Sequence, residues 1–242
     1  MEQTIYDHTK LPIYIELFRE FYTDRDISHG LEHVIKVAYN ALYIAYQYNQ
    51  ISIEEYNIIL ISALGHDIWD HKYVKDPDTI IERFITVLRW ANVSNYVIRS
   101  CIDIIDTISL SKELENGRSL YAILPERLLL LRNIVSDADK LESLGAICVY
   151  RMVHYELNTI KDVDLDHIVR HIKEHSTKLY KIYTEGYMNT RIGKILAKPK
   201  YIELYEIIED ETILKEFITL SSLHLWSPFS KYSYNRKRDY II

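Results

Sequence analysis

Glycine and proline are scarce in this chain, with 6 Gly and 5 Pro among 242 residues. β-Sandwiches and barrels need many tight turns, which these two residues supply, so their scarcity argues against such folds. Apolar residues instead recur at spacings of three and four and predict a helix over residues 29–49, as in Leu31, Val34, Ile35, Ala38, Leu42 and Ala45. The sequence therefore predicts an all-α protein with no sheet larger than a short hairpin.

Cysteine is also rare, and neither Cys101 nor Cys148 belongs to a Cys-x-x-Cys spacing. Their apolar, helical surroundings favour buried free thiols over a disulfide, which is typical of a reducing compartment. The N-terminus has no basic segment followed by an apolar one, so no signal peptide is predicted. No apolar stretch is long enough to span a bilayer. We therefore expect a cytoplasmic protein that does not bind membranes.

The chain has no excess of positive charge, because 35 acidic residues outnumber 29 basic ones and give a formal charge of −6. This balance lacks the electrostatic footprint of a nucleic-acid-binding protein, although it allows a local basic pocket for a phosphorylated small molecule. The length suits one large domain or two small ones. Because the sequence has no clear linker, we predict one domain over 1–242. A homo-oligomer is possible.

Capping signals divide the chain into helices. Ser52 and Glu55 form a capping box for a helix ending near Gly65, Asp78 is a candidate cap for residues 80–90, and Ser94 for residues 96–108. The polar stretch 111–119 predicts an exposed loop, and a long helix begins at 125–126. Further helices are predicted over 141–157, 166–184 and 200–218. The core thus covers about 22–157, a helical C-terminal extension 158–220, and a tail 221–242 that is either a docking segment or a solvated terminus.

The segment Leu64-Gly65-His66-Asp67 closes a strongly apolar run over residues 58–63. Burying a histidine that can be charged beside a carboxylate costs on the order of several kcal/mol unless another group compensates. A divalent metal compensates well, because it binds neutral imidazole and ionised carboxylate directly. This pair is therefore a candidate for two ligands of a metal ion.

Further candidate ligands lie on other predicted helices. His29 and His33 are four residues apart and share a helix face, while Asp137 and Asp139 follow an apolar helix that directs them inward. Taken singly, His33 could be a core histidine and the Asp137-Ala138-Asp139 segment a helix cap. Taken together, one histidine, one His-Asp pair and one aspartate from three helices predict a mixed nitrogen and oxygen metal site with open positions for water.

Three segments together resemble the HD-domain metal-dependent phosphohydrolases, and most closely their bacterial nucleotide pyrophosphohydrolase-like subgroup. They are Asp26-x-Ser28-His29-Gly30-x-x-His33, Leu64-Gly65-His66-Asp67-Ile68-x-Asp70-x-Lys72-Tyr73, and Asp137-Ala138-Asp139-Lys140-Leu141-x-x-Leu144-Gly145-Ala146-Ile147. The resemblance extends from about Tyr22 to Phe217 and implies an HD-domain helical bundle. Its implied metal ligands are His33, His66, Asp67 and Asp139, the last because the family's ligand precedes a basic residue. This chain departs from the family at Gly30, Lys140 and Glu142, where an acidic residue, Arg and Asp are usual.

The resemblance implies one divalent ion, Mn²⁺ first and otherwise Mg²⁺, Co²⁺, Ni²⁺, Fe²⁺ or Zn²⁺, that activates water for attack on a phosphate. Asp70 is the candidate for orienting or deprotonating that water, or else it forms an ion pair with Lys72. His29 is the candidate donor to a substrate or leaving-group oxygen, or else it caps or packs. Candidate phosphate-binding residues, each of which could instead form a structural salt bridge, are Lys72, Lys140 and Arg151.

These expectations describe an intracellular hydrolase with a nucleotide substrate, foremost one that releases pyrophosphate from nucleoside triphosphates. A nucleoside 5′-monophosphate phosphatase and a hydrolase of a signalling nucleotide such as ppGpp are alternatives. The pair Asp70-His71 does not match the Glu-Asp pair of ppGpp hydrolases, which disfavours the second. A metal-stabilised nucleotide-binding or partner-binding module without turnover is the alternative outside the enzymes.

Overall fold

Helices make up most of the chain that the structure describes. The computed structural model describes residues 10–26, 28–48 and 50–223, and within these ranges it contains helices and no strand. Eleven α-helices lie in them: α1 (Lys10–Phe18), α2 (Leu31–Tyr46), α3 (Ile53–Gly65), α4 (Pro77–Trp90), α5 (Asn95–Ile105), α6 (Leu110–Asn116), α7 (Glu126–Glu142), α8 (Ala146–Thr159), α9 (Leu165–Thr184), α10 (Arg191–Glu209) and α11 (Glu211–Ser222). The prediction of an all-α fold is confirmed.

Helix α3 lies at the centre of the first group of helices, packed against α1, α2, α5 and α7. Its residues from Ile58 to Gly65 are all buried, because the helix is apolar on every side and needs neighbours all round. Helix α7 packs against α2, α3 and α5, and α10 connects α7 with the second group, α8, α9 and α11. The apolar run before His66 is therefore the core helix of the bundle.

Two of the three predicted helix caps agree with the structure, and the cap predicted for α4 does not. Ser52 and Glu55 form the capping box of α3, with Ser52 N donating to Glu55 Oε2 at 2.8 Å. Ser94 Oγ caps α5 by accepting from Val97 N. Asp78 does not cap α4; Asp76 does, since its Oδ1 accepts from Thr79 N at 3.3 Å. Pro77 is well suited to the first helical position and begins the helix earlier than predicted.

The polar stretch over residues 111–119 is not the exposed loop that its composition predicts. It forms helix α6, capped by Ser109, and a 3-10 turn, Gly117–Tyr121. The reason is Glu113, which is buried and pairs with Arg132 Nη2 and, at 2.6 Å, with Lys140 Nζ on α7. A long-range ionic contact thus stabilises a helix that the local sequence does not predict.

The C-terminal region contains two helices where one was predicted over 200–218. Helix α10 begins at Arg191 and continues through Pro199, and Asp210 caps α11 by accepting from Thr212 N and Ile213 N. A proline removes one helical hydrogen bond but does not end a helix that packing holds on both sides. Helix α1 was not predicted either, and residues 224–242 of the predicted tail lie outside the described residues.

Both cysteines are buried and free, as predicted. In the described ranges, no helix combines the length and apolar character that crossing a membrane requires.

An ion pair between α3 and α7 provides a test of the packing of these two helices. Arg127 donates to Glu55 Oε2 at 2.7 Å, and this interaction is the main cause that lowers the pKa of Glu55 from 4.5 to about 2. Since a depressed carboxyl pKa stabilises the fold above the unfolded-state value, the contribution is lost as the pH falls through the folded-state value. Arg127→Met should therefore destabilise by at most about 1 kcal/mol at neutral pH, and the difference from wild type should shrink between pH 4.5 and 2. Urea unfolding at several pH values measures it, and a difference independent of pH would contradict the ion-pair origin.

Candidate metal centre

Three helices bring two histidines and two aspartates together. His33 lies in the first turn of α2, His66 and Asp67 directly follow α3, and Asp139 lies in the last turn of α7. His33 Nε2 lies 3.5 Å from Asp139 Oδ1 and 3.7 Å from Asp67 Oδ2, and His66 Nε2 lies 3.5 Å from each of the same oxygens. The structure thus places together all four residues that the sequence proposed as ligands.

The end of α3 can deliver His66 into the core because Gly65 precedes it. A Cβ at position 65 would lie 3.2 Å from the side chains of both Phe84 and Ile105, so a larger residue would push the helix end outward. His66 Nδ1 lies 2.8 Å from the carbonyl oxygen of Ala63. A carbonyl only accepts, so Nδ1 carries the proton, and in the neutral ring the lone pair is on Nε2, facing the carboxylates.

The cluster of four side chains calls for a positive charge at its centre. Burial disfavours the charged form of His66, but Asp67 and Asp139 outweigh this and raise its pKa to about 9. Burial and the charge of Arg151 lower the pKa of His33, so that ring is neutral. Burial opposes ionisation of Asp139, yet the charge of His66 holds the pKa of that carboxyl well below its ordinary value. The lone pairs of the two histidines and the two carboxylates face one another. Either a proton on His66 Nε2 or a cation bound between the four side chains satisfies them.

These donor atoms fit a divalent transition metal. Nε2 of His33, Nε2 of His66 and a carboxylate oxygen of Asp139 lie within 4.8 Å of one another, and Asp67 Oδ2 borders both histidines. Two imidazole nitrogens with two carboxylate oxygens suit Mn²⁺, Fe²⁺, Co²⁺ or Zn²⁺. The donor set does not single out one of these ions.

Asp137 belongs to a different contact, although it is only two residues from Asp139. Its Oδ1 accepts from Asn189 N at 2.8 Å and its Oδ2 from Thr190 N at 2.6 Å, just before α10. Gly193 lies so close to this carboxylate that an added Cβ would collide with it. Asp137 therefore joins α7 to the start of α10, and Asp139 faces the histidines.

His29 lies beside the cluster and is held by hydroxyl groups. Its Nδ1 is 2.8 Å from the Tyr73 hydroxyl and 2.7 Å from Ser28 Oγ, and its ring centre is 6.3 Å from that of His33. Burial, aided by Arg151 and Lys72 and opposed by Asp67, lowers the pKa of His29 to about 4. The ring is therefore neutral at physiological pH.

Asp70 and Lys72 lie on the turn that follows the His-Asp pair. Asp70 Oδ1 accepts from the backbone amide of Lys72 at 2.8 Å and lies 3.4 Å from His71 Nδ1. Asp70 therefore contacts the backbone of Lys72 by a hydrogen bond, and not its side chain by the ion pair that the sequence offered as an alternative. The Lys72 side chain is exposed, and its charge contributes to the low pKa of His29, so it lies near the centre.

The other two candidate phosphate-binding residues differ in position. Lys140 is buried, with Nζ 2.6 Å from Glu113 Oε2 and 2.9 Å from the Tyr187 carbonyl oxygen, so its predicted role in phosphate binding is replaced by a structural one. The physical reason is the helix, because Lys140 follows Asp139 on α7 and points to a different side. Arg151 is half-buried beside the centre, with Nε donating to the Ser28 carbonyl at 2.7 Å.

Several residues that support the site were missed as functional candidates, among them Asp26 and Ser28 of the first motif segment. Tyr73 belongs to the second motif segment but was given no role, although its hydroxyl donates to Asp26 Oδ2 at 2.9 Å. Arg25 lies over the Tyr73 ring at 4.1 Å and donates from Nη2 to the Ile68 carbonyl at 3.0 Å. The motif could have indicated Tyr73, whereas no local signal marks Arg25.

Comparisons with known proteins identify the fold. No protein-family model matches the sequence, and no curated protein matches it. A solved protein from Lactobacillus plantarum is 22% identical, with 85% of this chain and 96% of that chain covered and a TM-score of 0.61. The Lin1889 protein of Listeria innocua is 18% identical (90% and 98% covered, TM-score 0.57), and YpgQ of Bacillus subtilis, solved in complex with ADP, is 21% identical (81% and 94% covered, TM-score 0.56). These likenesses establish a shared fold.

The two aspartates of α7 provide a matched test of the centre. Asp139→Asn removes a facing carboxylate, so we expect metal affinity to fall by more than the roughly 10–100-fold that an outer-shell change costs. Asp137→Asn should leave metal affinity near wild type but destabilise the fold by about 1–3 kcal/mol, since it places an amide N–H against buried N–H groups. Metal titration followed by calorimetry, with urea unfolding of the metal-free proteins, measures both. The reverse pattern would show that Asp137 is the ligand.

Proposed function

We propose that this protein is an HD-type, metal-dependent phosphohydrolase that acts on nucleotides, and that it releases pyrophosphate from nucleoside triphosphates. The observation that carries the proposal is the cluster of two buried histidines, His33 and His66, with the partly exposed carboxylates Asp67 and Asp139, whose facing lone pairs favour a bound cation. Further support comes from the fold shared with YpgQ, which was solved in complex with ADP.

The residues around the centre suit phosphate chemistry. When bound by these four side chains, a divalent ion would lower the pKa of a water molecule and polarise a phosphoryl oxygen. Arg151 and Lys72 add positive charge next to the centre, where the phosphates of a substrate need neutralising. Asp70 orients or deprotonates the attacking water in this proposal.

The alternatives differ in the products that they release. A nucleoside 5′-monophosphate phosphatase would release orthophosphate, and a ppGpp-type hydrolase would release pyrophosphate from the 3′ position. A nucleotide-binding module would release neither. A panel of nucleoside mono-, di- and triphosphates and ppGpp, incubated with Mn²⁺, Mg²⁺, Co²⁺ or Ni²⁺ and analysed by chromatography, distinguishes them. We expect a nucleoside monophosphate and pyrophosphate from a triphosphate; binding without turnover would leave only the module.

Asp70→Asn tests the proposed role of that carboxylate. Asparagine can accept the Lys72 backbone amide as aspartate does, so the turn should persist. Because the amide cannot take a proton, we expect kcat to fall roughly 10²–10⁴-fold while metal content stays unchanged. The matched control is Asp103→Asn, which changes an aspartate paired with Arg99 on α5. Unchanged turnover of Asp70→Asn, measured under the same conditions, would remove Asp70 from the mechanism.

A further inference from the structure

Four side chains beside the metal centre form a hydrogen-bond network whose protons can be counted. The hydroxyls of Ser28 and Tyr73 both contact the carboxylate of Asp26, the first at Oδ1 and the second at Oδ2, 2.9 Å away. The same two hydroxyl oxygens lie 2.7 Å and 2.8 Å from Nδ1 of His29. Two hydroxyl protons are therefore available for four close contacts.

Only one arrangement places a proton in both contacts with the Asp26 carboxylate. An ionised carboxylate can only accept, so each hydroxyl must donate its single proton to Asp26. The Asp26 carboxyl is ionised, because hydrogen bonds from Ser28 and Tyr73 outweigh the effect of burial and lower its pKa. The hydroxyl oxygens then face His29 Nδ1 with lone pairs, so Nδ1 must supply a proton, which the two oxygens share. If a hydroxyl donated to Nδ1 instead, its oxygen would meet the carboxylate with no proton between them.

The proton on Nδ1 determines whether Nε2, the other ring nitrogen of His29, donates or accepts a hydrogen bond. In a neutral histidine ring, a proton on Nδ1 leaves the lone pair on Nε2. This nitrogen is an acceptor, which reverses the donor role that the sequence suggested for His29. The His29 ring lies next to the ligand cluster, with its centre 6.3 Å from that of His33, and it is not part of the group of close donor atoms that His33, His66 and Asp139 form in the described residues.

We propose that His29 accepts a hydrogen bond at Nε2 from the attacking water, while Asp26, Ser28 and Tyr73 hold its proton on Nδ1. The inference rests on the proposed hydrolytic function. His29 orients the water in this inference, and Asp70 remains the residue proposed to take its proton. The water therefore keeps one O–H directed at His29, which turns its own lone pair towards the phosphorus.

Nuclear magnetic resonance tests the proton position without any turnover. In protein labelled with ¹⁵N at histidine and loaded with diamagnetic Zn²⁺, long-range ¹H–¹⁵N spectra distinguish the two neutral forms of each ring. We expect the signals that vanish in His29→Asn to show a proton on Nδ1. A proton on Nε2 would overturn the proposal.

Two substitutions of His29 test the functions of its two ring nitrogens separately. The amide of asparagine takes the place of Nδ1 and can still donate to Ser28 and Tyr73, but nothing replaces Nε2. The longer glutamine can place its amide oxygen near Nε2. We expect His29→Asn to keep metal affinity and melting temperature while kcat falls roughly 10²-fold, and His29→Gln to recover part of that loss.

The control is His167→Asn, which alters a histidine on α9 paired with Glu156 and should leave turnover unchanged. An unchanged kcat in His29→Asn, or a raised KM at unchanged kcat, would overturn the contact with water. The two proposals fail differently. If the wild type hydrolyses nucleotides but the His29 proton is on Nε2, only this inference falls. If it hydrolyses none, the proposed function falls together with the role in water binding, whatever the NMR result.

Discussion

The cluster of two buried imidazoles and two partly exposed carboxylates is the constraint on which the rest of this structure depends. His33 and His66 face Asp67 and Asp139 at 3.5–3.7 Å, and the Nδ1 proton of His66 is directed away from them to the Ala63 carbonyl. Lone pairs that face each other in the interior are costly unless a positive charge lies between them. The fold must hold three helix ends in place to keep this arrangement. A cation bound to the four side chains would stabilise it.

Helix α7 meets this requirement by using three of its sides for three different contacts. Asp139 faces the histidines, Asp137 accepts from the backbone before α10, and Lys140 pairs with Glu113 of α6. Successive helical residues point about 100° apart, so neighbouring polar residues can serve separate partners. The two contacts that avoid the centre are buried and satisfied, and they keep Asp139 in its position.

A second layer of polar residues lies next to the centre and places different groups on its different sides. Asp26, Ser28 and Tyr73 hold His29 in one protonated form on one side. Arg151 contributes positive charge and is itself held by the Ser28 carbonyl. The surroundings of the centre are therefore asymmetric, with the His29 ring on one side and the Arg151 cation on another, and this asymmetry suits the proposed hydrolysis by an oriented water.

The sequence by itself determined the helical class, the capping box of α3 and the candidate ligands, because spacing and short motifs are local properties. It did not separate Asp139 from Asp137 without the family resemblance, since both follow the same apolar helix. Only the tertiary structure decided that Lys140 is a structural residue and that residues 110–116 form a helix, because both depend on one buried ion cluster at Glu113. The proton position on His29 also depends on tertiary structure, since Asp26 and Tyr73 lie 47 residues apart in sequence and meet only after folding.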